Sequence, residues 1–217
     1  MAGELRRLQI LRIAVRLFSQ HGFRGTTTKE IAQAAGVSEA MVFRHFATKQ
    51  ELYAAILDHK ACAGVQFQDP REMLSDAVRR KDDRAVFETL AFEALEHHEN
   101  DPEFQRLLLH SALEEHELGR MFWERTVLMI YDFLGSYIRE RQQDGAFRDV
   151  NPYTIVRALL GMIIHHSLNN NLWDKQRSLL KISNREAAQD FTSILLNGIV
   201  SNGKNRAPRA QNKKRKK

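Results

Sequence analysis

Thr27, Thr28, Ser38, Glu39, Met41, Arg44, His45 and Lys49 all fall in one run, TTTKEIAQAAGVSEAMVFRHFATKQEL, between Thr26 and Leu52. Hydroxyls and an ammonium group are the side chains that hold phosphate oxygens, so Thr27, Thr28, Ser38 and Lys49 are candidates for a phosphate grip. Glu39, Met41, Arg44 and His45 are the candidates for base edges. Arg44 carries a guanidinium fork that meets guanine at two points, a contact worth roughly 1–3 kcal/mol of discrimination. None of this chemistry works unless a scaffold presents the groups together on one face.

The same run supplies that scaffold. Thr27 stands three residues before Glu30, the spacing of a capping box that opens a helix. Ile31, Ala34 and Ala35 form its apolar stripe, and Gly36 falls where a left-handed residue ends it. Val37 returns to the core. Ser38 caps a second helix, Glu39 to Phe46, in which Val42 and Phe46 point inward. Small residues at Ala32, Ala34, Ala35 and Ala40 allow close crossing. Thr48 and Glu51 make another capping box, opening a helix through Leu52, Ile56 and Leu57. Two short helices joined by a glycine turn form a helix-turn-helix, which places its second helix in a DNA major groove.

Charge agrees with that reading. Residues 1–60 hold nine Lys/Arg against five Asp/Glu, and residues 61–202 hold sixteen against twenty-two. Arg6, Arg7, Arg24, Lys29, Arg44 and Lys49 are the cations available to a polyanion. Residues 203–217 add eight Lys/Arg and no acid, within a chain whose net charge is +6. That tail reads as disordered: either a sequence-independent attraction to DNA or a solubilising terminus.

The run from Thr26 to Leu52 closely resembles the DNA-binding domain of the TetR/AcrR family of transcriptional regulators. LRIAVRLFSQHGFRGTT matches that family's first helix, ending at Gly22, with Phe18 and Phe23 as core aromatics; IAQAAGVS, the His45-Phe46 pair and Lys49 fall at family spacing. The resemblance covers about residues 7–58. One position departs from it. The family usually carries Tyr where this chain has Phe43, and the tyrosine hydroxyl typically bonds a phosphate. Without it, Thr27, Thr28, His45 and Lys49 have more of the grip to supply.

Behind this domain the chain reads as helical throughout. His59 to Pro70 is a linker; Val78 to Glu99 carries an apolar stripe; Asn100 or Asp101, followed by Pro102, opens the next helix. Glu115 to Asp144 reads as one long helix ending at Gly145. Asn151-Pro152 opens another, to about Trp173. Ser183 and Glu186 form a capping box for a last helix, to about Ser201. The expected fold is all-α with about nine helices: a three-helix helix-turn-helix domain over 1–58, a larger helical ligand-binding and dimerisation domain over 59–202, and the basic tail over 203–217.

The last two long helices are apolar on more than one face, through Ile155, Val156, Leu159, Leu160, Met162 and Ile163, then Phe191, Ile194, Leu195, Ile199 and Val200. Ala158 and Gly161 permit close crossing. In the resembled family, the final two helices of each subunit make a four-helix interface, so a homodimer on a double-stranded DNA operator is expected. Phe87, Phe92, Phe122, Trp123, Met129 and Tyr131 are candidates to line an apolar pocket for a small effector, or else simply core. His97-His98 and His165-His166 are neighbours pointing about 100° apart, which suits no single metal. His110 with Glu114 has metal-sharing spacing, with His116 beyond. Satisfied or solvated histidines are the expectation, so no metal and no cofactor are assigned.

Composition excludes other classes. There is no glycine-rich phosphate loop, nucleophile elbow, HExxH or CxxC, and acid-rich stretches such as Glu114-Glu115-Glu117 read as solvated faces. An enzyme is not expected. Cys62 is alone, so no intramolecular disulfide forms, and the bland reading is a small apolar residue. No signal peptide and no apolar run of ~20 residues is present, so a cytoplasmic protein is expected. The resemblance implies a repressor released from a palindromic operator by a small, apolar molecule. Two other readings stay open: a regulator without a small ligand, governed by a partner protein or its own level, and a weakly specific nucleoid-type binder.

Overall fold

The structure, a computed structural model, describes residues 2–62 and 69–200. The tail over 203–217, most of the linker before Asp69 and the side chain of Cys62 lie outside the described residues. All of the regular structure described is helical; an isolated antiparallel bridge pairs Phe147 with Val200.

Four helices make the N-terminal domain: α1 (Ala2–His21), α2 (Thr28–Ala34), α3 (Glu39–His45) and α4 (Lys49–Cys62). Ile10, Leu11, Ala14 and Phe18 recur at three- and four-residue spacing along α1, and all are fully buried. They pack against Ile31, Val42, Phe46, Leu52, Tyr53 and Ile56 from the other three helices. Each such side chain contributes about 1.5–3 kcal/mol by leaving water. The helix starts follow their caps. Thr27 and Glu30 form a complete capping box, and Ser38 Oγ accepts the N–H of Met41 at 3.2 Å. Thr48 accepts the N–H of Glu51, but the Glu51 carboxylate turns one residue further back, to the N–H of Ala47 at 2.7 Å.

The rest of the chain folds as α5 (Pro70–Met73), α6 (Ser75–Arg79), α7 (Asp83–Asn100), α8 (Pro102–Leu113), α9 (Glu117–Phe122), α10 (Leu128–Gln143), α11 (Pro152–Leu168) and α12 (Asn184–Ile199). The described residues hold twelve α-helical segments, where about nine were expected. Two come from α5 and α6, where the apolar spacing was too short to read. A break at Lys81, with φ 54°, then restarts the chain at the Asp82 cap, so the stripe from Val78 is divided between α6 and α7. The third arises because a π-helical turn, Trp123–Val127, divides the predicted long helix into α9 and α10. A second π turn, Asn169–Trp173, ends α11.

The second core joins α7, α10, α11 and α12 through Val86, Phe87, Leu90, Leu134, Val156, Leu159 and Leu195. Helix α8 belongs to the other core. Its Phe104 and Leu107, with Leu118 of α9, are buried among the side chains of α1 and α4. The N-terminal helices thus rest on α8 and α9 through continuous apolar packing.

Candidate nucleic-acid interface and its linked cavity

The turn between α2 and α3 is built by Gly36, at φ +65°, which L side chains adopt only with strain. Val42 and Phe46 anchor α3 from beneath, at 1% exposure each. The opposite face presents Phe43 and Arg44 to solvent, with Met41 and His45 half-buried beside them. Arg44 has no ion pair or hydrogen bond among the described residues, so its fork is available to a partner. Phe43 is 44% exposed, an apolar ring with no hydroxyl to offer a phosphate.

The hydroxyls differ in what they have left to give. Thr27 Oγ1 donates to the Glu30 carboxylate at 2.9 Å, and Thr28 Oγ1 donates to Glu39 Oε1. Both protons are committed within the domain, and Glu39, a base-edge candidate, is tied to the start of α2. Ser38 Oγ only accepts, so its proton remains free for a phosphate oxygen. Lys49 lies over the Phe23 ring, its Nζ 4.1 Å from the centroid. Burial lowers its pKa, opposed by Glu114 and Glu30. The sequence-derived contacts thus lie on α2, α3, the N-caps that open them and the first residue of α4, with Ser38 and Arg44 the readiest donors.

Glu114 departs from the solvated-face reading. One oxygen accepts the backbone N–H of Phe23 at 2.9 Å, and the other accepts that of Arg24 at 3.4 Å. Both of its oxygens are engaged by backbone N–H groups, with His110 Nδ1 in the same corner beside Gly22. Beside Glu114, the His116 ring lies tilted against Phe23 with centroids 4.2 Å apart, and edge-on to Tyr53 at 4.5 Å. Burial lowers the His116 pKa, with Glu114 and Glu117 opposing. No spacing rule in the sequence pairs residue 114 with residue 23. Only the docking of α8 on α1 does so.

The same corner borders a cavity of about 1040 Å³ between α7, α8, α9, α10 and α11. Phe122, Trp123, Met129 and Tyr131 line it, together with Leu90, His98, Ile163 and Arg157. Trp123, Thr126 and Val127 of the π turn all face it, consistent with the frequent use of π turns at binding sites. Phe87 and Phe92 are not part of its wall. Phe87 is fully buried against Tyr137 and Phe147, and Phe92 packs under the Arg185 guanidinium, because both point away from the α7 face that carries Leu90, Ala94 and His97. His98 and Arg157 were not among the pocket residues expected from sequence, which singled out large apolar side chains. Among the described residues no cluster of three or more His, Cys, Asp or Glu could hold a metal, and no helix is long and apolar enough to cross a membrane.

Residues 10–56 match the family model described as bacterial regulatory proteins, tetR family. Over that region the chain is similar to the TetR family. Over 49 residues the TetR-type region is 53% identical to the uncharacterized HTH-type transcriptional regulator YvkB of Bacillus subtilis, covering 23% of this chain and 26% of that one. Over 100 residues it is 29% identical to the HTH-type transcriptional repressor KstR2 of Mycobacterium tuberculosis, covering 45% and 49%. The chain thus spans about a quarter to a half of the curated relatives it matches. The likeness in fold runs further: a linker-substituted mutant of HlyIIR superposes with a TM-score of 0.65 over 92% of this chain and 97% of that one, at 16% identity.

Proposed function

We propose that this TetR-type chain is a cytoplasmic transcription regulator, a repressor that binds a palindromic operator as a homodimer and leaves it when a small molecule fills the cavity. One observation carries the reading: the wall of the cavity includes Glu115 and His116, next to the Glu114 carboxylate that holds the turn after α1. A molecule entering beside those residues favours whichever α8–α9 arrangement accommodates it. That arrangement is transmitted to α1 and so to the spacing of two recognition helices, a shift between two states. A regulator with no small ligand has no need of a cavity of about 1040 Å³, partly open to solvent, beside its second core.

In this reading Ser38 and Lys49, with Thr27 and Thr28 after rearrangement, meet phosphates. Arg44, Met41, His45 and Glu39 meet base edges, and Phe43 packs against the sugar-phosphate edge. Homodimerisation uses the apolar surface of α11 and α12 and the segment between them. There Ile164 is 44% exposed, Trp173 67%, Leu179 89% and Ile194 63%, an apolar surface of the kind that association covers.

The test selects bound sequences from random duplex DNA and footprints the winner. Two protected half-sites about one helical turn apart, bound by a dimer in analytical ultracentrifugation, are expected. A monomer at micromolar concentration would reject the dimeric operator reader. A footprint that stays diffuse at moderate salt would replace it with a weakly specific binder.

A further inference from the structure

The cavity wall also says what an effector should carry. Ser167 Oγ donates to the Ile163 carbonyl at 2.9 Å and lies 2.9 Å from His98 Nδ1. A hydroxyl has one proton. With that proton on Ile163, the hydrogen bond to His98 must be donated by Nδ1, so Nε2 holds a lone pair. Nε2 has no hydrogen-bond partner among the described residues, and the His98 side chain lines the cavity. Burial, with His97 adding repulsion, pushes the His98 pKa down to about 4, so the ring stays neutral at pH 7. A neutral acceptor facing a largely apolar space is costly until a donor reaches it.

Arg157 lines the same cavity from α11. Its Nε donates to the Tyr131 hydroxyl at 3.4 Å, and no carboxylate pairs with it among the described residues. The other lining guanidinium, Arg120, is already held by Glu117 at 3.0 Å and Glu124 at 3.1 Å. Of the lining carboxylates, Glu96 accepts from Asn184 at 2.8 Å, and Glu93 and Glu115 are exposed, as is Arg157 itself. Ser167 and Arg157 stand ten residues apart on one helix, about 15 Å along its axis. Leu160, Gly161, Ile163 and Ile164 line the stretch between.

We infer that the effector is an elongated apolar molecule polar at both ends, with a hydroxyl or other donor read by His98 Nε2 and a carboxylate or similar anion read by Arg157 and Tyr131. This rests on the effector reading above and adds the chemical class.

The chain has two tryptophans, so Trp173→Phe leaves Trp123, in the cavity wall, as the reporter. Fluorescence titrations, repeated by calorimetry, use 12-hydroxydodecanoate, dodecanoate, 1-dodecanol and dodecyltrimethylammonium, each below its micelle concentration. Expected is binding of 12-hydroxydodecanoate about tenfold tighter than dodecanoate, and of dodecanoate about tenfold tighter than the alkylammonium. His98→Phe should erase the first difference and Arg157→Gln the second. Ser167→Ala, which keeps the imidazole but frees Nδ1, should shrink the first. Equal binding of all four probes, or preference for the alkylammonium, overturns the two-ended class and leaves the effector reading standing. No signal and no heat with any probe overturns both. The wild-type probe series decides even where a variant fails to fold.

Discussion

Glu114 Oε2 accepts the N–H of Phe23 at 2.9 Å, joining residues 91 apart in sequence. Gly22 makes the contact fit: it holds φ +71°, and a Cβ there would overlap Glu114 Oε1. The bond fastens the corner between α8 and α9 to the turn that ends α1. Losing it leaves the partly buried N–H of Phe23 without an acceptor, a cost of about 1–3 kcal/mol, while the exposed N–H of Arg24 can turn to water.

Glu114→Ala should therefore lower the melting temperature by roughly 2–12 °C, at about 2–4 °C per kcal/mol for a chain of this size. Glu114→Gln keeps an acceptor and should lose less. Gly22→Ala should cost at least as much as Glu114→Ala, because it adds backbone strain to the lost bond. Calorimetry on the three variants checks the order. A Glu114→Ala melting temperature equal to wild type would remove the clamp from the account.

On DNA, Arg44→Ala should relax specificity, losing roughly 1–3 kcal/mol on the selected operator and little on random duplex. Lys49→Ala should weaken both alike and reduce the salt slope by about one counterion. Lys49 differs from an ordinary surface lysine in resting on Phe23, so its substitution should also cost some stability through the lost ring contact. Anisotropy titrations at two salt concentrations separate these effects. Equal losses on operator and random DNA for Arg44→Ala would reject its role as a reader.

The helix-turn-helix was legible because its signals are local: a cap, a turn glycine and an apolar pair all lie within one helical turn of what they control. Thr27 with Glu30, Gly36, and Val42 with Phe46 take the positions their spacing implies. The break at Lys81 and the π turn at Trp123 were not legible, since each depends on what packs against the helix and not on the residues in it. The long-range partners were hidden for the same reason. Glu114 looked like one carboxylate in a charged stretch, and its partners are backbone N–H groups that no side-chain pattern advertises. Phe87 and Phe122 look alike in sequence; one is core and the other cavity wall because α7 and α9 turn different faces to the void.

Asp83, at the start of α7, is held by three donors from α10: Arg141 Nε at 2.8 Å, Arg141 Nη2 at 3.0 Å and the Tyr137 hydroxyl. Its side chain is 19% exposed and that of Arg141 is 13%. Removing one member of a shielded pair strands the other, which costs more than the pair itself contributes. Arg141→Met, which leaves Asp83 with no cation, should destabilise by about 2–4 kcal/mol, and Asp83→Ala by less, since Arg141 keeps Asp144 at 2.7 Å. Denaturant unfolding measures both. A smaller loss for Arg141→Met than for the exposed pair of Arg125 with Asp58 would show that the network is ornamental.

The buried histidines give stability a definite direction with pH. The His98 pKa falls from the ordinary 6.5 to about 4 because burial disfavours the charged ring. The unfolded chain therefore takes up the proton near pH 6.5, while the folded chain resists until about pH 4. The stabilisation is fully present above pH 6.5 and is lost progressively between the two values, up to about 3 kcal/mol if the whole shift is realised. His116 and His166, both lowered chiefly by burial, add loss of the same sign. The carboxylates of Glu99 and Glu186, lowered by their hydrogen bonds, extend the decline below the ordinary carboxylate value of 4.5. Unfolding free energy measured from pH 7.5 to 4 should thus fall steadily, and in His98→Phe the fall should be shallower across that interval. An unchanged slope in the variant would mean that His98 titrates freely in the folded protein, and that its Nε2 faces water and not an apolar cavity.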